Sequence, residues 1–198
     1  MPRHGTLQSL VAALNASDDF SVEALTRIAE QNLPTWEEIE PLVCAGHPYG
    51  RITLAEAPNF EVMIGCWTKG NWCDAHDHGD SIGVCWAYKG TIDHVSYELH
   101  GEYLDAVERC SIGKDDVVPL KLGLIHSLVN TSSDEPFVGL HIYSPPTKDV
   151  RVFDLKHGDI YHVHSDQGAW IPEDLENVKA IERAQFTFRN QTEAVAGE

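Results

Sequence analysis

Apolar residues first recur at helical spacing. Leu7, Leu10, Val11 and Leu14 fall on one face of a 3.6-residue period and predict an amphipathic helix. A second helix is predicted to start at Ser21, a residue type that caps helices by accepting a backbone N–H. Glu23 would lie in its first turn, with Val22, Leu25 and Ile28 along it. Residues 34–40 read as a third, short helix start. The pattern then changes to that of strands, over 51–54, 60–67, 81–88, 91–99 and 137–143. Turn-forming residues separate these runs at Ala57-Pro58-Asn59, at Lys89-Gly90 and over 132–136. Many short strands at close spacing predict a sandwich or barrel. Residues 191–198 are expected to fray.

This pattern divides the chain into a helical segment over 1–45, a β-barrel over 46–155 and a C-terminal extension over 156–198. At 198 residues these are expected to form one domain. Hydrophobic residues at 42% and charged residues at 23% are ordinary for a globular protein. No apolar run approaches the roughly 20 residues of a membrane span. Residues 1–6 lack the apolar run of a signal peptide, so the expectation is a cytoplasmic protein without membrane partners. A net charge of −17 repels polyanions and argues against nucleic-acid partners. It does not identify a substrate, and nothing in the sequence fixes an oligomeric state. The five cysteines are odd in number and form no C-x-x-C pair, which points to reduced thiols. Cys66 and Cys85 sit in apolar runs, where a buried, inert thiol is expected.

The candidate chemistry begins at His76-Asp77-His78. On an extended strand, residues two apart face the same side, so two imidazoles can reach one metal. Gly70 lies six before His76, and Gly90 follows His78 by twelve. This spacing resembles the first cupin motif. The second resembles Gly113, Pro119, His126 and Asn130, with two extra residues between Pro119 and Gly123. The two motifs imply a cupin barrel, a double-stranded β-helix, with His76, His78 and His126 inside it. Most cupin metal sites carry a glutamate where this chain has Gly83. Three neutral imidazoles suit iron, zinc, copper or nickel. They leave the ion's charge uncompensated, which favours an anionic ligand such as a thiolate.

With these residues in place the chain resembles the cysteine dioxygenase family, over about 49–154. The pieces that carry the resemblance are Tyr49-Gly50-Arg51, Cys66-Trp67, His76-Asp77-His78-Gly79-Asp80-Ser81, His126 with Asn130, and Leu140-His141-Ile142-Tyr143-Ser144-Pro145-Pro146. The resemblance implies an Fe(2+) cofactor on His76, His78 and His126. It implies that Arg51 pairs with the substrate carboxylate, that Tyr143 is the active-site tyrosine with His141 its partner, and that Trp67 packs nearby. The family reaction joins a small thiol and O2 into a sulfinic acid. L-Cysteine is the foremost substrate. Alternatives are 3-mercaptopropionate, mercaptosuccinate (whose second carboxylate Arg151 could serve), a non-catalytic cupin that binds a metal or ligand, or a zinc or nickel cupin with isomerase chemistry.

Two departures stand out. Animal members often carry a cysteine at the place of Gly83, cross-linked to the tyrosine. Gly83 resembles the bacterial type and predicts an uncross-linked Tyr143. The family's serine two before the histidine is here Gly139, which shortens the relay to His141-Tyr143, and a water could replace the hydroxyl in the space the glycine leaves. His94, His100, His157, His162 and His164 lack comparable context and are read as surface or structural. Trp72 is expected to pack under a loop, and Cys73 could wall the site.

Overall fold

The computed structural model describes residues 4–131, 134–164 and 167–190. The fraying expected over 191–198 and part of the turn expected over 132–136 lie outside the described residues. In chain order the first elements are β1 (His4–Gly5), α1 (Leu7–Asn15), α2 (Val22–Asn32), β2 (Leu33–Pro34) and α3 (Trp36–Ile39). The strands that follow are β3 (Gly50–Ala57), β4 (Phe60–Trp67), β5 (Trp72–Asp77), β6 (Ile82–Lys89), β7 (Thr91–His100) and β8 (Tyr103–Gly113). Next come β9 (Val117–Leu120), β10 (Ile125–Val129), β11 (Phe137–Ser144) and β12 (Val150–Phe153). The last are β13 (Ile160–Val163), β14 (Val178–Glu182) and β15 (Thr187–Asn190).

Local chemistry starts the helices where the sequence places them. Thr6 caps α1 by accepting from the Ser9 backbone N–H at 3.0 Å, and Ser21 caps α2 by accepting from Ala24 at 3.3 Å.

A five-stranded sheet runs β3-β4-β11-β6-β9, and an eight-stranded sheet runs β14-β13-β12-β5-β10-β7-β8-β15. Together they form the expected cupin-type double-stranded β-helix. The five-stranded sheet is covered on both faces, and period-2 alternation sorts its residues between them. Phe60, Val62, Ile64 and Cys66 of β4 point outward, as do Val138, Leu140 and Ile142 of β11. They pack against Leu10, Leu14, Leu25 and Ala29 of the helices. The intervening residues face the other sheet. Trp67, Ala87 and Phe137 meet Cys73, Ile92, Ile112, Leu128 and Val152 in an inner core. Two covered faces explain why β4 and β11 are buried along their whole length.

Among the described residues, the stretch expected as an extension carries three strands. β13 and β14 continue the large sheet beyond β12, which itself pairs with β5 through Val152↔His76. β15 closes the opposite edge by pairing parallel to β8.

Candidate metal centre

Strands β5 and β10 run antiparallel with His76 and His126 directly opposite. His78 lies one residue past the end of β5. The three side chains are buried, and their candidate ligand atoms all lie within 4.8 Å of one another. Imidazole–metal bonds of about 2.0–2.1 Å set neighbouring ligand nitrogens about 3–3.5 Å apart. The 3.5 Å between His126 Nε2 and His78 Nε2 matches that spacing.

Protonation also fits a metal. His76 Nδ1 lies 2.8 Å from the Asp74 carbonyl. A carbonyl only accepts, so Nδ1 carries the proton and Nε2 is left bare. Burial lowers the His76 pKa to about 4, and it holds His78 and His126 well below the ordinary histidine value. All three are therefore neutral, the form that ligates metals.

Behind His126 stands a partner that sequence reading did not single out. His94 is buried on β7, and its Nε2 lies 3.1 Å from His126 Nδ1. Its own Nδ1 faces Cys110 Sγ at 3.7 Å. Ser96 is the residue paired with His126, and His94 stands two positions along the same strand face. His94 is thus no surface residue. It can accept the Nδ1 proton of His126 and leave Nε2 free.

The five-stranded sheet supplies the facing wall. Tyr143 and His141 lie on the inner face of β11. The Tyr143 hydroxyl is 3.2 Å from His141 Nδ1 and 3.3 Å from His78 Nε2. Burial drives the phenol's pKa well above its ordinary value, so it keeps its proton. Arg51 on β3 has a terminal nitrogen 3.8 Å from Met63 Sδ and 3.9 Å from Glu61 Oε1. Glu61 is itself fixed, accepting from Thr147 Oγ1 at 2.7 Å and Thr53 Oγ1 at 3.1 Å. Arg51, Tyr143, His141 and the three histidines line one cavity of about 470 Å³, counting its open mouth. Trp67 and Cys73 also wall it, and Trp67 stacks on Tyr49 with ring centroids 4.6 Å apart. Trp72 instead sets its ring edge-on against His47.

Three expectations about the surroundings can be compared with the structure. Arg151 does not line the cavity. Its Nε donates to both Asp77 oxygens, at 3.2 and 2.9 Å, and its NH2 group also pairs with that carboxylate. The space beside Gly139 is not left for water. A Cβ there would come within 2.9 Å of Cys85 Sγ, so the thiol occupies the place. Gly83 is the residue opposite Tyr143, whereas Cys85 stands opposite His141, consistent with a phenol free of any thioether.

A family described as cysteine dioxygenase type I matches residues 6–156 of this chain. Curated relatives include the cysteine dioxygenase type 1 proteins of Rattus norvegicus, 31% identical over 173 residues, and Homo sapiens, 30% identical over 172 residues. The Danio rerio protein of the same name is 28% identical over 171 residues. Each of these alignments covers 77% of this chain and 81% of the relative. Among solved structures, an uncharacterized conserved protein with a double-stranded β-helix domain from Klebsiella pneumoniae aligns at 14% identity and a TM-score of 0.48. That alignment covers 70% of this chain and 93% of that one.

Proposed function

The chain belongs to the cysteine dioxygenase family, and from that premise we propose that it is a non-haem iron(II) thiol dioxygenase that converts L-cysteine and O2 to the sulfinic acid. One observation carries this reading: a single cavity is lined by the three-histidine cluster, the Tyr143 hydroxyl and the Arg51 guanidinium. Metal storage would need only the histidines.

Iron(II), held by His76, His78 and His126, supplies the one-electron chemistry that closed-shell side chains cannot offer to dioxygen. The protein supplies orientation and electrostatics. Arg51 holds the substrate carboxylate through two parallel N–H···O bonds. Glu61, anchored by Thr53 and Thr147, keeps that guanidinium at the cavity wall. Met63, Trp67, Leu128 and Val150 exclude water, which strengthens each polar contact inside. Tyr143 donates its hydroxyl proton toward charge that develops in the cavity.

Replacing Arg51 with Ala removes a charge-assisted contact worth about 1.5–3 kcal/mol, so kcat/KM for cysteine falls roughly 10- to 100-fold. Cysteamine, which lacks the carboxylate, is turned over about equally by both proteins. Equal losses for the two thiols would dismiss the clamp. His94→Ala tests the support of the metal. Removing the hydrogen-bond partner of a ligating histidine lowers metal affinity about 10- to 100-fold. Competition with a chelator measures this directly, and unchanged affinity would remove His94 from the site.

A second reading has its own support. No Asp or Glu lines the cavity among the described residues, so a substrate ammonium meets no counter-charge there. That keeps 3-mercaptopropionate in contention. Mercaptosuccinate is disfavoured, because Arg51 is the only Lys or Arg lining the cavity among the described residues and Arg151 is held on Asp77. The deciding experiment gives the iron-loaded protein the three thiols and measures O2 uptake and sulfinate. Cysteine is expected to give the highest kcat/KM. A higher value for 3-mercaptopropionate would move the substrate, and no uptake with any thiol would return the protein to a binding role.

A further inference from the structure

The inner face of the five-stranded sheet is unusually bare around His141. Gly65 and Gly139 are direct cross-strand partners, and Cys85 pairs with His141 from the other side. A Cβ at Gly139 would lie 3.1 Å from His141 Nε2, and one at Gly65 would lie 3.4 Å from the same nitrogen. The small residues leave the imidazole its place and clear a path to one sulfur. Cys85 Sγ sits 3.5 Å from His141 Nε2. On its other side, the ring presents Nδ1 to the Tyr143 hydroxyl at 3.2 Å.

We propose that Cys85 is a positioning residue for Tyr143: its S–H donates to His141 Nε2, and the ring is thereby fixed with its proton on Nδ1. The Nδ1–H then donates to the phenol oxygen, and the phenol's own proton is turned into the cavity. This rests on the reading that Tyr143 acts as a donor there.

The alternatives are few. A neutral imidazole has one N–H to place. Burial lowers the His141 pKa to about 3 and raises that of Cys85 to about 12, so the ring is neutral and the thiol keeps its proton. Sulfur is a weak acceptor and an imidazole nitrogen a good one, so the thiol proton is better placed on Nε2 than the reverse. In the opposite tautomer Nδ1 would accept from Tyr143. The phenol would then spend its only proton on His141 and have none for the cavity. With Nδ1–H donating, the phenol proton is free to turn to the other side, where His78 Nε2 lies 3.3 Å away.

Cys85 and Gly139 are also linked to each other. The 2.9 Å from a Cβ at 139 to Cys85 Sγ means that a side chain at 139 and the thiol compete for one space. Removing the thiol opens that space. A serine at 139, two residues before His141 on the same strand, could then reach His141 Nε2 and restore the donor.

The test has two arms. Nitrogen-15 NMR of the histidine rings in metal-free protein reads the tautomer without turnover. His141 is expected to show a protonated Nδ1 and a bare Nε2 in the wild type and in Cys85→Ser, and a mixture of tautomers in Cys85→Ala. In the iron-loaded protein, Cys85→Ala is expected to lower kcat about 3- to 10-fold, the worth of one neutral hydrogen bond. Iron content and KM for cysteine should stay within twofold. The double variant Cys85→Ala/Gly139→Ser should recover both the single tautomer and most of kcat, which a loss through packing alone would not do. A protonated Nε2 in the wild type, or a single Nδ1–H tautomer retained in Cys85→Ala, would overturn the hydrogen bond. Mixed tautomers with unchanged kcat would overturn the positioning role. The NMR arm decides the Cys85–His141 bond whatever thiol, if any, the protein oxidises.

Discussion

Replacing His126 with alanine is expected to strip the protein of iron and reduce thiol-dependent oxygen uptake to background. His76 and His126 are opposed across β5 and β10, and His78 completes the cluster. Without His126, two neutral imidazoles from one short stretch of chain remain. Neither carries charge to offset the loss, since burial keeps both in the neutral form. A metal contributes several kcal/mol of charge stabilisation, so losing it lowers the rate by about 10³-fold or more. The substitution also leaves His94 Nε2 buried without its partner, a cost of about 1–3 kcal/mol in stability. Metal analysis after loading with iron(II), with a melting curve alongside, separates loss of ligand from loss of fold. Full iron and full turnover in His126→Ala would remove the third ligand.

Tyr143→Phe is the second large effect. The ring stays and the hydroxyl goes, so iron content should match the wild type. A preorganised donor facing developing charge in a dry cavity is worth about 10²–10³ in kcat. The Tyr143 hydroxyl is buried and lies within hydrogen-bond reach of both His141 and His78. The loss should fall on kcat, with KM for cysteine little changed, because Arg51, the proposed carboxylate clamp, is untouched. A Tyr143→Phe enzyme with wild-type kcat would make Tyr143 a packing residue.

Much of this arrangement was legible beforehand, for identifiable reasons. Ser21 caps α2 as its residue type suggests. β4, β6, β7 and β11 appear within a residue or so of the runs that predict them, because long β-branched and aromatic stretches between turn residues leave little choice. The pair His76 and His78 announces itself through strand periodicity. Other features depend on pairing register, which local sequence does not encode. His94 looks like a lone histidine until β7 is laid against β10, two positions from the partner of His126. Cys85 looks like an inert core thiol until β6 is set against β11, and only then does it meet His141. The late strands were missed for a different reason. β14 reads Val178-Lys179-Ala180-Ile181-Glu182, half exposed and charged, and β15 is a four-residue edge held by parallel pairing to β8. Short edges need little hydrophobicity, so they leave little pattern.

The alternation along β11 also makes catalytic accuracy and folding accuracy hard to separate. Odd-numbered His141 and Tyr143 face the cavity, and even-numbered Val138, Leu140 and Ile142 face the helices. A slip of this strand by one residue against β4 and β6 would exchange the two sets. Imidazole and phenol would be pressed among Leu10, Leu14 and Leu25 without partners, at about 1–3 kcal/mol for each unsatisfied group. Isoleucine and leucine would fill the cavity in their stead. A chain that misplaced its reactive groups would thereby also lose its hydrophobic seal, so the misregistered protein is removed by instability before it can compete for the metal without turning over substrate.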